Sequence, residues 1–119
     1  MTDPAAPALH IRIVFGEAGM FGPGKAELLE RIGRCGSIAA AGREMGMSYK
    51  RAWQLVGLMN AMFAAPLVDS TRGGPGGGGA VLTETGQTVL RLYRAFEAEA
   101  AEGGAQRIAA LRALLRPAP

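Results

Sequence analysis

The residues best equipped for chemistry crowd into two short stretches of this chain. One is Ser48-Tyr49-Lys50-Arg51, with Gln54 a helical turn further on; the other is Arg72-Gly73-Gly74-Pro75-Gly76-Gly77-Gly78-Gly79. Arginine, lysine and glutamine donate to base edges in a major groove and to phosphate oxygens. A run of glycines leaves backbone N–H groups free to approach phosphates, and Arg72 adds a charge beside them. The run does not close in Gly-Lys-Ser/Thr, so a nucleotide-binding phosphate loop is excluded. Neither stretch holds a nucleophile next to a base. The whole chain has one histidine, His10, and one cysteine, Cys35, too few for a transition-metal site or a disulfide. The chemistry expected is recognition, with no enzyme activity, no metal and no cofactor.

Bulk properties bound this reading without deciding it. A chain of 119 residues, 49% of them apolar, makes one compact domain with a real core. Thirteen Lys+Arg against 10 Asp+Glu give a net charge of +3, which favours a polyanionic partner only weakly. No run of 18 apolar residues occurs and no basic-then-apolar leader opens the chain, so neither a membrane segment nor a signal peptide is expected, and the location expected is cytoplasmic. Cys35 reads as a small residue near a helix end.

The elements that must position the two stretches follow from periodicity and breakers. Residues 1–8 form a Pro-broken tail, Leu9–Phe15 reads as a half-buried strand, and Gly16–Gly24 as a turn. A helix is predicted from Pro23 to Cys35, with Leu28, Leu29 and Ile32 as its apolar stripe, Pro23 in its first turn and Gly36 ending it. Ser37 caps a second helix from Ile38 to about Met45; Gly46 breaks it, and Ser48 caps a third running to about Phe63. Strands are predicted at Leu67–Ser70 and Ala80–Thr83 on either side of the glycine run. A fourth helix follows from about Thr85 to Ala101, with Thr83 as its cap. Gly103-Gly104 interrupt it before a short last helix from Ala105 to about Leu115. One strand, three helices, a hairpin and then helices is the winged helix-turn-helix order, so the class expected is mainly α with a small β-hairpin and a C-terminal dimerisation helix.

Within that order the stretch from Ile38 to Asn60 carries the sharpest signal. Ala39-Ala40-Ala41-Gly42 supplies the small surface that two closely crossing helices need, and Gly46 accepts a left-handed turn between them. At about 100° per residue, Ala52, Leu55, Val56, Met59 and Phe63 share one face of the third helix. Lys50, Gln54 and Gly57 lie opposite, with Arg51 and Trp53 on the flanks. The buried stripe thus turns Ser48, Tyr49, Lys50, Arg51 and Gln54 outward, as a helix in a major groove requires. Any surface helix shows an exposed polar face; the small-residue crossing and the glycine turn tip the balance toward DNA. Tyr49 and Trp53 are expected to brace the hairpin or a neighbouring helix rather than touch bases. The hairpin reads as the wing, with Arg72, Gly73, Gly74, Gly76 and Gly77 against phosphates; a solvated loop that contacts nothing is the plainer alternative.

These segments resemble the N-terminal DNA-binding domain of the ModE family of molybdate-responsive regulators. The resemblance rests on Gly36-Ser37-Ile38 with its alanine run, on Met47-Ser48-Tyr49-Lys50-Arg51-Ala52-Trp53 with Met59-Asn60, and on Gly73 through Thr83. Gly86-Gln87 and Leu92-Tyr93 add to it, and it covers about residues 9–100. LysR-type regulators share the element order, but their recognition helix and wing read differently. The resemblance implies a winged-helix dimer on a partly palindromic double-stranded operator, with recognition by Ser48, Tyr49, Lys50, Arg51 and the wing, and a role in molybdenum-related regulation; Ser37 is a further DNA-binding candidate. Members of this family sense molybdate through separate C-terminal oxyanion-binding domains. Residues 105–119 offer one short helix and a tail, so neither a molybdate domain nor a cofactor is expected.

The assembly expected is a homodimer. Val89, Leu92, Tyr93, Phe96 and Ala100 form one stripe at helical spacing, and Ile108, Leu111, Leu114 and Leu115 a second. Part of this must cover the domain's own core, and the remainder seeks a partner helix. Residues 9–85 are thus expected to be the DNA-binding unit and 86–116 the dimerisation helices. A second class of function stays open: a winged-helix adaptor that binds a protein, such as one carrying a separate sensor.

Overall fold

The computed structural model describes residues 7–71 and 79–117. The first described element is a hairpin, where the sequence predicts a single strand and a turn. Strand β1 (Ile13–Val14) pairs antiparallel with β2 (Met20–Phe21), Ile13 opposite Phe21 and Val14 opposite Met20. Two glycines make the reversal possible: Gly16 at φ +59° and Gly19 at φ +128° take backbone conformations that side-chain-bearing residues avoid. The hairpin delivers Phe21 into the core, where its ring meets Tyr93 edge-on at 5.1 Å and Phe63 at 6.4 Å.

Helix α1 (Pro23–Cys35) starts and stops where its sequence dictates: Pro23 stands in the first turn, and left-handed Gly36 returns its N–H to the Ile32 carbonyl. Its buried face of Ala26, Leu28, Leu29 and Ile32 is the centre of the core. Ser37 caps α2 (Ile38–Glu44) by accepting from the Ala40 N–H at 3.1 Å. Ser48 caps α3 (Tyr49–Met62) by accepting from the Arg51 N–H at 3.1 Å. Each cap stabilises its helix by about 1 kcal/mol.

Strands β3 (Val68–Ser70) and β4 (Ala80–Leu82) pair antiparallel, with Asp69 opposite Val81. The predicted wing residues Arg72, Gly73, Gly74, Gly76 and Gly77 lie outside the described residues. Thr83 caps α4 (Glu84–Gly103): its hydroxyl accepts from the Gly86 N–H at 2.9 Å and donates to the Pro66 carbonyl at 2.6 Å. Gly86 packs so tightly on the strand entry that a Cβ there would stand 2.1 Å from the Leu67 carbonyl oxygen. A short α5 (Ala105–Ala113) follows a break at Gly104.

Leu28, Leu29, Ile32, Met59 and Leu67 are the largest side chains wholly removed from solvent, from α1, α3 and the strand entry. Burying each contributes about 1.5–3 kcal/mol. The result is the expected winged helix-turn-helix, mainly α, with one hairpin more than the sequence reading held. No residue of α4 beyond Tyr93 is buried, and none of α5.

Candidate DNA interface

The crossing of α2 and α3 is set by the absence of a side chain. A Cβ at Gly42 would stand 2.8 Å from the Ala52 methyl, closer than real carbons approach, so only glycine lets the two helices meet here. The turn between them uses Gly46 at φ +73°, and the Met47 N–H returns to the Gly42 carbonyl at 3.0 Å. Ala52, Val56 and Met59 of α3 are buried. That burial rotates Lys50, Arg51, Gln54 and Gly57 to the outside, where all four are exposed. The angular reading of α3 therefore holds in three dimensions, with Leu55 and Phe63 half-buried at its margin.

Ser37 and Ser48 are used locally. Each hydroxyl oxygen accepts one cap hydrogen bond, which leaves its proton and a second lone pair for other partners. The two aromatic side chains, expected to brace the hairpin or a neighbouring helix, are in ring contact with each other. Tyr49 and Trp53 meet each other edge-on at 5.9 Å and both lie on the exposed side, Tyr49 at 60% of its full accessibility. They form an amphipathic ledge beside Lys50 and Arg51.

Strands β3 and β4 are locked to the helices by contacts that periodicity does not reveal. The Asn60 side-chain oxygen accepts from the N–H groups of Leu67 at 2.8 Å and Val68 at 3.1 Å, and its amide donates to the Val68 carbonyl at 3.2 Å. One α3 side chain thereby fixes where the hairpin begins. On the opposite strand the Ala80 N–H donates to the Gly36 carbonyl at 2.9 Å. At the open end the Thr71 N–H donates to the Gly79 carbonyl at 2.8 Å. Sequence reasoning had Asn60 only as part of a resemblance; a polar residue at the end of an otherwise apolar stripe was the available signal.

Charge divides across the molecule. Arg31 bonds Glu27 at 2.7 Å and Glu44 at 3.0 Å, Arg34 bonds Glu44 at 2.8 Å, and Arg94 reaches Glu97, Glu30 and Glu27 at 2.8–3.4 Å. Cys35 donates its thiol proton to Glu44 at 3.1 Å. That hydrogen bond raises the thiol pKa, with burial adding to it, and is the first cause holding Glu44 below the usual carboxylate range, ahead of Arg34 and Arg31. Around α3 the pattern reverses: among the described residues Lys50 and Arg51 make no ion pair.

The residues expected at a dimer seam part company. Tyr93 is buried in the domain's own core and donates to the Ile11 carbonyl at 2.6 Å, and Val89 packs beside that core. Leu92, Phe96, Leu111 and Leu115 remain exposed, and Ile108 is half-covered. Among the described residues no group of three or more His, Cys, Asp or Glu is placed to hold a metal, and no helix is long and apolar enough to cross a membrane.

Comparison with known proteins agrees with this geometry. The chain is 51% identical over 81 residues to the molybdenum-pterin-binding protein MopB of Rhodobacter capsulatus, covering 68% of this chain and 30% of that protein. It is 44% identical over 71 residues to the DNA-binding transcriptional dual regulator ModE of Escherichia coli K12, covering 60% of this chain and 27% of the relative. With the transcriptional regulator ModE of Haemophilus influenzae the identity is 36% over 87 residues, covering 73% and 34%. The matches thus span about a third or less of each relative's length. Residues 24–87, more than half the chain and including the whole α2–α3 unit and both wing strands, match the bacterial regulatory helix-turn-helix proteins of the lysR family, and to that family the chain belongs.

Proposed function

We propose that this protein is a sequence-specific, dimeric DNA-binding transcription regulator acting on molybdenum-related genes. One observation carries the reading: the outward side of α3 presents the cations Lys50 and Arg51 without a counter-charge, with the neutral donor Gln54 beside them, while Arg31, Arg34 and Arg94 are paired with glutamates. A major groove admits such a helix, and the uncompensated cations meet phosphates and guanine edges there. Lys50 and Arg51 hold the backbone or a guanine, Gln54 reads a base, and the Tyr49–Trp53 ledge packs on sugar or a thymine methyl. Residues 9–85 serve as the DNA-binding unit, and the names of the relatives in the comparison support the molybdenum connection.

Dimerisation falls to the exposed part of 86–116. Leu92, Phe96, Leu111 and Leu115, with Ile108, leave more apolar surface than a monomer hides, and a two-fold partner would cover it. Two α3 helices then enter successive major grooves about 34 Å apart. Sedimentation at micromolar concentration will give a dimer, and a monomer both with and without DNA would overturn this assembly.

The same exposed leucines favour a second reading, an adaptor whose C-terminal helices bind another protein, such as a separate sensor. Selection from random duplexes, followed by anisotropy of the enriched sequence across a salt series, separates the two. A regulator enriches a two-fold site and binds with a steep salt slope from counterion release. An adaptor enriches nothing. Lys50→Ala and Gln54→Ala must weaken the selected complex; if both leave it intact, the groove-facing side of α3 is wrongly assigned.

A further inference from the structure

Three cations from three separate elements converge beside the first turn of α3. Arg12, just before β1, Lys25 of α1 and Arg51 of α3 line one recess of about 310 Å³, closed on its apolar side by Met47 and Leu55. Arg12 is held there by its stem. A Cβ at Gly22 would stand 3.3 Å from the Arg12 Cγ and 3.2 Å from the Met20 sulfur, so the stem of Arg12 packs on the buried glycine while the residue as a whole stays exposed. No carboxylate lines the recess, and among the described residues none of the three cations makes an ion pair. Burial, then Arg51, then Arg12 push the Lys25 ammonium below its ordinary pKa. The chain therefore holds three like charges together at a cost, in a protein that supplies glutamates to its other clustered arginines.

We propose that Arg12, Lys25 and Arg51 form one oxyanion site, and that its occupant is a backbone phosphate of the duplex in which α3 lies. The inference rests on the DNA-binding reading and extends the contact surface beyond the helix-turn-helix, to the N-terminal hairpin and α1. A tetrahedral phosphoryl group offers acceptor oxygens in several directions, which suits donors arriving from three sides. A free oxyanion has the same chemistry. The phosphodiester is favoured because Arg51 belongs both to the recess and to α3, and because Arg12 and Arg51 are exposed, so the site is reached from outside by a strand that α3 has already docked.

The test uses the full chain and its selected duplex. Arg12→Gln with Lys25→Gln will weaken binding to every sequence on the order of tenfold, and lower the salt slope by about one for each lost contact per protomer. Neutral methylphosphonate linkages, introduced one at a time along the duplex, will identify a backbone position that matters to the wild type and no longer matters to the double variant. Should Arg12→Gln fail to fold by circular dichroism, the same linkage scan comparing wild type with Lys25→Gln alone decides the matter. Unchanged affinity and slope in the double variant, alongside a loss in Lys50→Ala, overturns the recess and leaves the DNA reading standing. A wild type that binds no duplex overturns both. Inorganic phosphate that binds the wild type and not the double variant, while the double variant keeps its duplex affinity and salt slope, makes a free oxyanion the occupant and overturns the phosphodiester.

Discussion

Among the described residues two groups of arginines and lysines are handled in opposite ways, while Arg43, Arg91 and Arg107 belong to neither. On α1, α2 and α4, Arg31, Arg34 and Arg94 share Glu27, Glu30, Glu44 and Glu97 in a half-exposed network. Around the first turn of α3, Arg12, Lys25, Lys50 and Arg51 have no carboxylate partner among the described residues. Surface ion pairs of the first kind add little to stability, about 0–1 kcal/mol each, and they cancel the field they arise from. Unpaired cations of the second kind repel one another and leave a positive potential standing at the surface. The net charge of +3 conceals this division; what distinguishes the two regions is where the glutamates are.

The sharpest way to break the comparison is to reverse a charge in the unpaired group. Arg51→Glu will reduce affinity for the selected duplex on the order of a hundredfold, because a like charge then faces the phosphates, while the thermal unfolding transition followed by circular dichroism rises, because the carboxylate relieves the repulsion that Arg51 exerts on Lys25. Gln54→Ala comes next: a loss of about 1–3 kcal/mol confined to one base pair, read as relaxed preference there in competition binding. Arg94→Gln, in the paired group, will cost stability about 0–1 kcal/mol in urea titration and leave DNA affinity unchanged. An equal loss of affinity from Arg94→Gln and Arg51→Glu would erase the distinction between the regions.

The smallest effect is one of pH. Glu44 is ionised more readily in the folded chain than in the unfolded one, first through the Cys35 thiol and then through Arg34 and Arg31. As pH falls the unfolded chain takes up that proton first. The contribution is therefore fully present above the ordinary carboxylate pKa of about 4.3 and fades as pH drops through the depressed value. Glu44→Gln will flatten this acid limb in melts recorded across pH.

Much of this was legible beforehand, and the gaps share a cause. Pro23, Gly36, Ser37, Ser48 and Thr83 are local signals, each acting on its own turn of backbone, and the helices begin and end where these residues place them. The outward face of α3 was legible because the period of a helix and the apolar residues on it suffice. The β1–β2 hairpin was not: strands of two residues have no alternation to detect, and Met20–Phe21 is extended because Phe21 has a core to enter. Tyr93 joined a stripe whose spacing says that it is covered without saying by what; the cover proved to be Phe21 and the Ile11 carbonyl of the same chain. Arg12, Lys25 and Arg51 are separated by 13 and 26 positions in sequence, and only the folded hairpin brings them to one recess. Asn60 likewise bonds to residues seven and eight positions on, beyond any helical neighbour.

That Asn60 anchor has a mechanical consequence. Three hydrogen bonds from one side chain tie the end of α3 to the base of the β3–β4 hairpin and resist their moving apart. On the DNA-binding reading proposed above, that tie makes α3 and the hairpin a caliper of fixed gauge. Where groove width and gauge disagree, the duplex must supply the adjustment, and flexible steps yield more cheaply than stiff ones. Target preference would then include base pairs that no side chain touches.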